Sequence, residues 1–502
     1  MPGTSEEFNS GERESVGQVN VTFEGLNNIS PILLKSYKYV FQGEHDLNNI
    51  IRKANSVQEE LSSLDAFSSV SHNVSPNTNN PLDIDIVFKL RESKKRYTLG
   101  STINKQGKIG FEASAFFPNL LGTLSTSKFS VETFGSNSRE LNISHFTPRI
   151  FSSNINMVYS LSKSTVDYSK SSAYTESSFG GLVRFSDPNN RHNFTIESRI
   201  REFPRSLHEQ IGEGPQEYGV TTSSKLFDHQ SIQTLKNSLC YSWNQIKSNN
   251  YNEKEENLSR TETKRFEIVP FKIHSKKTIQ QLSFELAGFN GDVSFIKTQG
   301  FYTWSSKFSR IRGCTNFFKN PSIDFSLGFG ALLPNLINRS IFKASMHDKF
   351  FLGGNCGAHY CLPGFAPRSV GTCKHIIGVQ GKGKNPTIGE NRGSVCLGGD
   401  AFVSSELKIS HPLDLSGMGT DVKPNLQAFI SSAVVLDKND YNKKKQLLGK
   451  FIQNIRAATG FGFSVPLGPA DLSLLFSAPI KHLHTDMLEG FQLGMRMTYT
   501  PL

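Results

Sequence analysis

The sequence predicts a membrane β-barrel of about sixteen antiparallel strands, preceded by a small N-terminal α/β domain of order strand-helix-helix-strand-strand. Three observations carry that expectation. Segments in which apolar and polar residues alternate recur at hairpin spacing from Tyr97 to the end of the chain. Helical periodicity is confined mostly to residues 31–64. No run approaches the ~18 consecutive apolar residues of a spanning helix, so a membrane would have to be crossed by strands.

Residues 1–17, with Glu6, Glu7, Glu12 and Glu14 and no apolar stretch, read as a flexible N-terminus carrying neither a secretory signal nor an Arg-rich presequence. Residues 18–92 form a compact module. Val19, Val21 and Phe23 alternate and stop at Gly25, which predicts a short strand and turn. Pro31 opens a helix over Pro31–Val40. Asp46 is an N-cap for a second helix, because Leu47, Ile50, Ile51, Ala54, Val57, Leu61 and Leu64 recur on one face. A strand over Phe67–Val74, a polar turn Ser75–Pro81 and a strand with Leu82, Ile84, Ile86, Phe88 and Leu90 complete the module.

The barrel is expected over residues 97–502. Its first strand is Tyr97–Asn104; Ile109, Phe111, Ala113 and Ala115 follow after the turn at Lys105–Gly107. Similar alternation marks Leu282–Leu286, Ile323–Ala331 and Leu472–Ala478. The last strand, Phe491–Tyr499, sets Phe491, Leu493, Met495, Met497 and Tyr499 against Gln492, Gly494, Arg496 and Thr498, and its length suits the roughly 9–11 residues of a tilted spanning strand. So many amphipathic strands with so little helix to cover them favour closure over an open sheet. Segments 204–229 and 247–267 lack periodicity and read as solvent loops.

Composition narrows the function classes. Lys plus Arg exceed Asp plus Glu by 55 − 44 = 11, but the basic residues are dispersed, without the stripe or aromatic interleaving of a nucleic-acid groove. A hydrophobic content of 36% and a mean hydropathy of −0.35 would ordinarily read as soluble, but a membrane barrel escapes that reading because half of its strand residues face a polar lumen. Cys356, Cys361, Cys373 and Cys396 lie close in sequence with His359 and His375 among them. Free thiols, a local disulfide and a metal site are the alternatives, and the spacings match no common zinc pattern. Gly378–Asn385 lacks the Ser/Thr and the strand-loop-helix setting of a phosphate loop. No catalytic residue, metal ligand or cofactor is proposed.

Several motifs occur in a shared order: Phe117-Pro118-Asn119-Leu120-Leu121-Gly122, Gly291-Asp292-Val293-Ser294-Phe295-Ile296-Lys297, Phe350-Phe351-Leu352-Gly353-Gly354, Leu362-Pro363-Gly364-Phe365 and Gly398-Gly399-Asp400-Ala401-Phe402. With them the chain, from about Val19 to Leu502, resembles the core barrel of the mitochondrial sorting and assembly machinery, in the bacterial surface-antigen and barrel-assembly superfamily. The N-terminal module, with Leu61-Ser62-Ser63-Leu64-Asp65-Ala66-Phe67, resembles that family's single polypeptide-transport-associated (POTRA) domain.

The resemblance implies a loop, about residues 349–397, folded back into the lumen, with Gly353, Gly354, Leu362, Pro363, Gly364, Phe365 and Arg368 as its motif. Pro363 stands where the family has arginine, and Ser431 where it often has an acidic partner. It further implies insertion of unfolded β-barrel precursors into the mitochondrial outer membrane, with the N-terminal domain in the intermembrane space and peripheral subunits as partners. A lateral gate would lie between the first strand, with Thr98, Gly100 and Thr102, and the last, with Gln492, Gly494 and Arg496. Gln492, Gly494, Met497 and Tyr499 resemble a barrel sorting signal. A passive pore and a two-partner export pore are the alternatives.

Overall fold

The computed structural model describes residues 17–497, apart from 79, 104–108, 121, 136–137, 151–154, 169–174, 203–232, 251–272, 309–320, 335–343, 355–360, 378–391, 414–423, 438–446 and 468–469. In the N-terminal module, β1 (Val19–Glu24) runs parallel to β3 (Ile84–Glu92), which pairs antiparallel with β2 (Phe67–Pro76). The helix Leu47–Ser63 covers one face of this sheet. Asp46 caps it by accepting from the Asn48 N–H, and Ile50, Ala54, Val57 and Leu61 are buried. They meet Tyr37, Phe41, Ile86 and Phe88 in one core.

Two expectations for this module shift. The helix predicted over Pro31–Val40 is a 3-10 turn, Pro31–Leu34, followed by a helix of Lys35–Tyr39, with only Leu34 and Tyr37 buried along it. A segment this short is fixed by tertiary packing rather than by propensity. Leu82 is exposed before β3, because the Asp83 N–H donates to the Asn80 carbonyl and closes a turn there.

The rest of the chain is dominated by a 16-stranded antiparallel sheet. Its strands are β4 (Arg96–Ile103), β5 (Ile109–Pro118), β6 (Thr126–Phe134), β7 (Ser138–Thr147), β8 (Asn156–Asp167), β9 (Thr175–Ser186), β10 (His192–Glu202) and β11 (Gln233–Asn250). There follow β12 (Ile273–Ala287), β13 (Phe295–Phe308), β14 (Ser322–Leu333), β18 (Ala401–Pro412), β19 (Asn425–Leu436), β20 (Arg456–Leu467), β21 (Ala470–Lys481) and β23 (Phe491–Met497). Each pairs with its neighbour in chain order except where an insertion between β14 and β18 carries three small strands, β15 (Gly364–Phe365), β16 (Cys373–Ile377) and β17 (Arg392–Cys396). The two-residue β22 (Leu488–Glu489) precedes β23.

Alternation decides the two faces. On β10, Phe194, Ile196 and Ile200 point outward and are exposed, whereas Glu197, Arg199 and Arg201 point inward. On β20 and β21, Phe461, Phe463 and Phe476 face outward, and Arg456, Ala458 and Ser473 face inward. The exposed apolar side chains therefore form an outward band, as in a strand-spanning membrane protein. No helix among the described residues is long and apolar enough to cross a membrane.

The terminal strands differ from expectation. β4 spans Arg96–Ile103, and Asn104 lies outside the described residues, as do Thr498 and Tyr499 beyond β23. β4 and β23 are the two edges of the sheet, and among the described residues no ladder joins them. The loop expected over 247–267 begins later, since Lys247–Asn250 still pair with Ser275–Thr278. Backbone pairing continues there past the last apolar side chains, which periodicity cannot register. Residues 204–229 and 251–267 lie outside the described residues.

The N-terminal module is fastened to the sheet at the β7–β8 turn. Arg149 donates to both oxygens of Glu60, from Nε at 2.7 Å and Nη2 at 2.6 Å, and its guanidinium lies 4.2 Å from the centroid of Tyr37. Burial, then the nearby Glu60 charge, pushes the Tyr37 phenol far above its ordinary pKa, so it remains a hydrogen-bond donor to Glu60. Leu124 of the β5–β6 connection and Phe146 of β7 extend the module's apolar core.

Candidate functional site

The insertion between β14 and β18 folds against the inner face of the sheet. Phe350, Leu352, Leu362, Phe365 and Val370 from the insertion pack with Phe295, Leu332, Phe402, Ala433, Val435 and Ala458 from the wall. Short bridges shape the insertion internally: Phe350 to Gly399, Leu352 to Val370 and Gly354 to Leu362. Gly353 requires its lack of a side chain, because its φ is +120° and a Cβ would meet the Ala366 carbonyl at 2.2 Å.

At the tip, Gly364 and Phe365 pair with β22. Gly364 adopts φ +94°, and a Cβ there would sit 3.1 Å from the Ala458 Cβ, so the turn presses directly on β20. Phe365 is fully buried. The side chain of Gln492 on β23 accepts from the Gly364 N–H at 3.2 Å and donates from Nε2 to the Phe365 carbonyl at 2.7 Å. One primary amide thus satisfies two backbone groups of the tip, in the way that a neighbouring strand would. Gln492 is buried, facing inward from the edge strand.

The arginine question has a specific geometry. Pro363 is buried in the turn before Gly364. Ser431, buried on β19, donates to the Ala458 carbonyl at 3.5 Å, on the wall that Gly364 touches. Arg368, also in the motif, stacks on aromatic rings. It lies 3.8 Å from the Phe351 ring centroid and 4.1 Å from that of Tyr168, at the end of β8. The wall supplies a cation: Arg456 of β20 pairs with Asp486 at 3.2 Å and donates from Nη2 to the Gly371 carbonyl of the insertion at 3.3 Å. Sequence reasoning missed Arg456, and no local motif marks it.

A second anchor, also unforeseen, holds the start of the insertion. Arg201 donates to Asp348 through Nη1 at 2.6 Å and Nη2 at 3.1 Å, with both side chains buried. Lys297 donates to the Asp348 carbonyl at 2.8 Å and lies over the Phe350 ring. Lys349 reaches Asp400 at 3.5 Å and Asp437 at 3.3 Å. Burial opposes ionisation of Asp348, yet the charge and hydrogen bonds of Arg201 hold its carboxyl below the usual range.

The seam residues lie on opposite edges. Thr98 hydrogen-bonds Ser114 at 2.5 Å on β5, Gly100 has open space around it, and Thr102 pairs with Gly110. Gly494 accepts from the Ser473 hydroxyl at 3.2 Å, Arg496 is opposite Asp471, and Met497 is opposite Ala470. The structure therefore brings Gly364, Phe365 and Gln492 together and leaves β4 apart from them. Of the cysteine cluster, Cys356 and His359 lie outside the described residues, Cys361 is half-buried, and Cys373 faces Cys396. Among the described residues no three His, Cys, Asp or Glu side chains group as a metal site would require.

Residues 119–498 match the model of the Omp85 superfamily domain. The chain belongs to the Omp85 superfamily. No curated protein sequence matches the chain. Among solved structures, this Omp85 chain is similar to BamA from Haemophilus ducreyi lacking POTRA domains 1–3, with TM-score 0.60, 17% identity and coverage of 95% of this chain and 83% of that one. CdiB from Acinetobacter baumannii matches at TM-score 0.47 and 11% identity, over 96% of this chain and 74% of that one. The BamA likeness shows that the barrel fold is shared. For this Omp85 chain the insertion docked inside the sheet and the unjoined edges β4 and β23 are the features of the fold that a function must explain.

Proposed function

We propose that this Omp85 chain inserts and assembles β-barrel precursors in an outer membrane by strand addition at the β4/β23 seam. The observation that carries this reading is the edge of β4, which among the described residues pairs with β5 alone. Its Tyr97 and Leu99 are 71% and 87% exposed, and its neighbour Phe111 on β5 is 75% exposed. An apolar edge with unpaired backbone groups is a template for another strand. In the membrane each unsatisfied N–H or C=O costs several kcal/mol, so a precursor strand gains by pairing there.

The inner insertion gives the seam a control point. Gln492 links the tip of the insertion to the last strand, so movement of β23 at the seam would be coupled to displacement of the tip. The N-terminal module, resembling a POTRA domain and fixed by Arg149 to Glu60, would receive precursors before the seam, with peripheral subunits beside it. The segment with Gln492, Gly494, Met497 and Tyr499 would serve as this chain's own sorting signal. Placement in the mitochondrial outer membrane, with the module in the intermembrane space, rests on the motif resemblance. An open passive pore fits less well, because apolar side chains of the insertion fill against the inner wall.

The test is reconstitution of the full chain in liposomes with a urea-unfolded barrel precursor. Accelerated acquisition of protease-resistant precursor over empty liposomes is expected. Equal rates would remove the assembly reading. Subcellular fractionation with mitochondrial markers tests the location separately.

A further inference from the structure

The β16–β17 hairpin of the insertion carries a pair of thiols that the assembly reading does not use. Cys373 and Cys396 are direct cross-strand partners, and their sulfurs are 3.0 Å apart. The Thr372 N–H donates to the Gly398 carbonyl and the Leu397 N–H donates to the Thr372 carbonyl. That bonded position places the next pair, Cys373 and Cys396, at a non-hydrogen-bonded site. Such sites bring Cα atoms to ~4.5 Å with the side chains closest together. This separation falls at the near end of the roughly 4.4–6.8 Å that disulfides span. The hairpin therefore needs no backbone rearrangement to close the bond.

We propose that Cys373 and Cys396 are a redox-active dithiol that closes to an intraloop disulfide by exchange with a low-molecular-weight disulfide of the glutathione class. The two thiols have different environments. Cys396 is buried, and burial together with its neighbour pushes its thiol up. Cys373 is half-buried, and the hydrogen bond with Cys396 draws its thiol below the ordinary value. Cys373 is thus the attacking group. Its thiolate attacks one sulfur of the external disulfide, forming a mixed disulfide and expelling a thiolate that takes up the proton Cys373 released. Cys396, losing its own proton, then attacks the Cys373 sulfur, and the second external thiolate leaves with that proton. Two protein thiols are oxidised and one external disulfide is reduced to two thiols.

The bond would staple the root of the hairpin next to the tip. Gly371, two residues before Cys373, is the carbonyl that Arg456 holds, and Ser369 donates to the Met487 carbonyl just before β22. Closure therefore acts on the segment joining the insertion to β20 and to the connection before β23.

The test uses the full-length protein in detergent, equilibrated with oxidised glutathione, alkylated with maleimide under denaturing conditions and mapped by peptide mass spectrometry without reduction. One linked peptide pair joining Cys373 to Cys396 is expected, reversed by dithiothreitol, with both thiols alkylated in the reduced sample. In Cys396→Ser the expected product is Cys373 trapped as a glutathione adduct. The proposal is overturned if both thiols stay fully alkylatable in the wild type under excess oxidised glutathione. It is equally overturned if Cys373 links to another cysteine instead.

Discussion

Gln492 and Asp348 hold the insertion through side chains far away in sequence, and each makes a distinct expectation. Gln492→Glu keeps the shape but cannot donate to the Phe365 carbonyl, leaving a buried acceptor opposed by a carboxylate. The cost of such a lost partner is about 1–3 kcal/mol. Hydrogen exchange at Gly364 and Phe365 should rise accordingly, and unchanged protection would show that the tip is held by packing alone. Asp348→Asn removes the charge that Arg201 faces while both remain buried. Breaking one side of a buried pair costs roughly 3–5 kcal/mol, so Asp348→Asn should lower stability to denaturant more than the double change Arg201→Met with Asp348→Leu. Phe365→Ala should impair assembly more than Pro363→Ala, because Phe365 is fully buried in the docking cluster. Pro363→Arg alone should bring no gain, since neutral Ser431 lies against that wall and Arg456 is already beside Gly371. The motif glycines and Phe365 entered the sequence reading only as part of a loop that the family resemblance implies. Gln492, Arg201 and Arg456 as its partners were not legible, because contacts across more than a hundred residues, or from one wall strand to a distant carbonyl, leave no periodic trace.

Strands were legible where one face meets lipid and the other the interior, since alternation is then forced on the sequence. This holds for β5, β14 and β21, whose apolar faces were assigned from spacing. It fails at strand ends such as Lys247–Asn250, where pairing persists among polar residues, and in the Pro31–Val40 segment, where a 3-10 turn and a five-residue helix replace the one helix expected. The face assignment makes a direct expectation. Leu474 points outward beside Phe463 on β20, whereas Asn142 points inward one row from Glu132 and Glu140. Leu474→Arg should destabilise by roughly 2–4 kcal/mol if it lies near mid-membrane, and Asn142→Arg by much less, measured by urea titration in lipid. Equal losses would mean that the faces are reversed. The N-terminal module is fastened by an ion pair still partly open to solvent, and Glu60→Gln keeps an acceptor for Arg149, so it should cost about 1 kcal/mol in stability. Cross-linking between the helix Leu47–Ser63 and the β7–β8 turn should nevertheless report looser docking.

At the scale of the whole molecule, the described residues form sixteen strands whose edges β4 and β23 no ladder joins, and the proposed assembly reading depends on those edges. The number of strands was legible because each spanning segment repeats the same pattern. How β4 and β23 relate was not, because a seam is a property of two segments almost four hundred residues apart. The measurement that bears most directly on the account is a disulfide engineered across that seam, with Thr98→Cys combined with Gly494→Cys and neighbouring pairs along Thr98–Thr102 and Leu493–Arg496. It is made in a background where Cys373 and Cys396 are serine, and closure is verified by mass spectrometry. The oxidised protein should remain folded and lose precursor insertion in liposomes, and reduction should restore it. Insertion at the uncross-linked rate by the verified, oxidised protein would contradict the account.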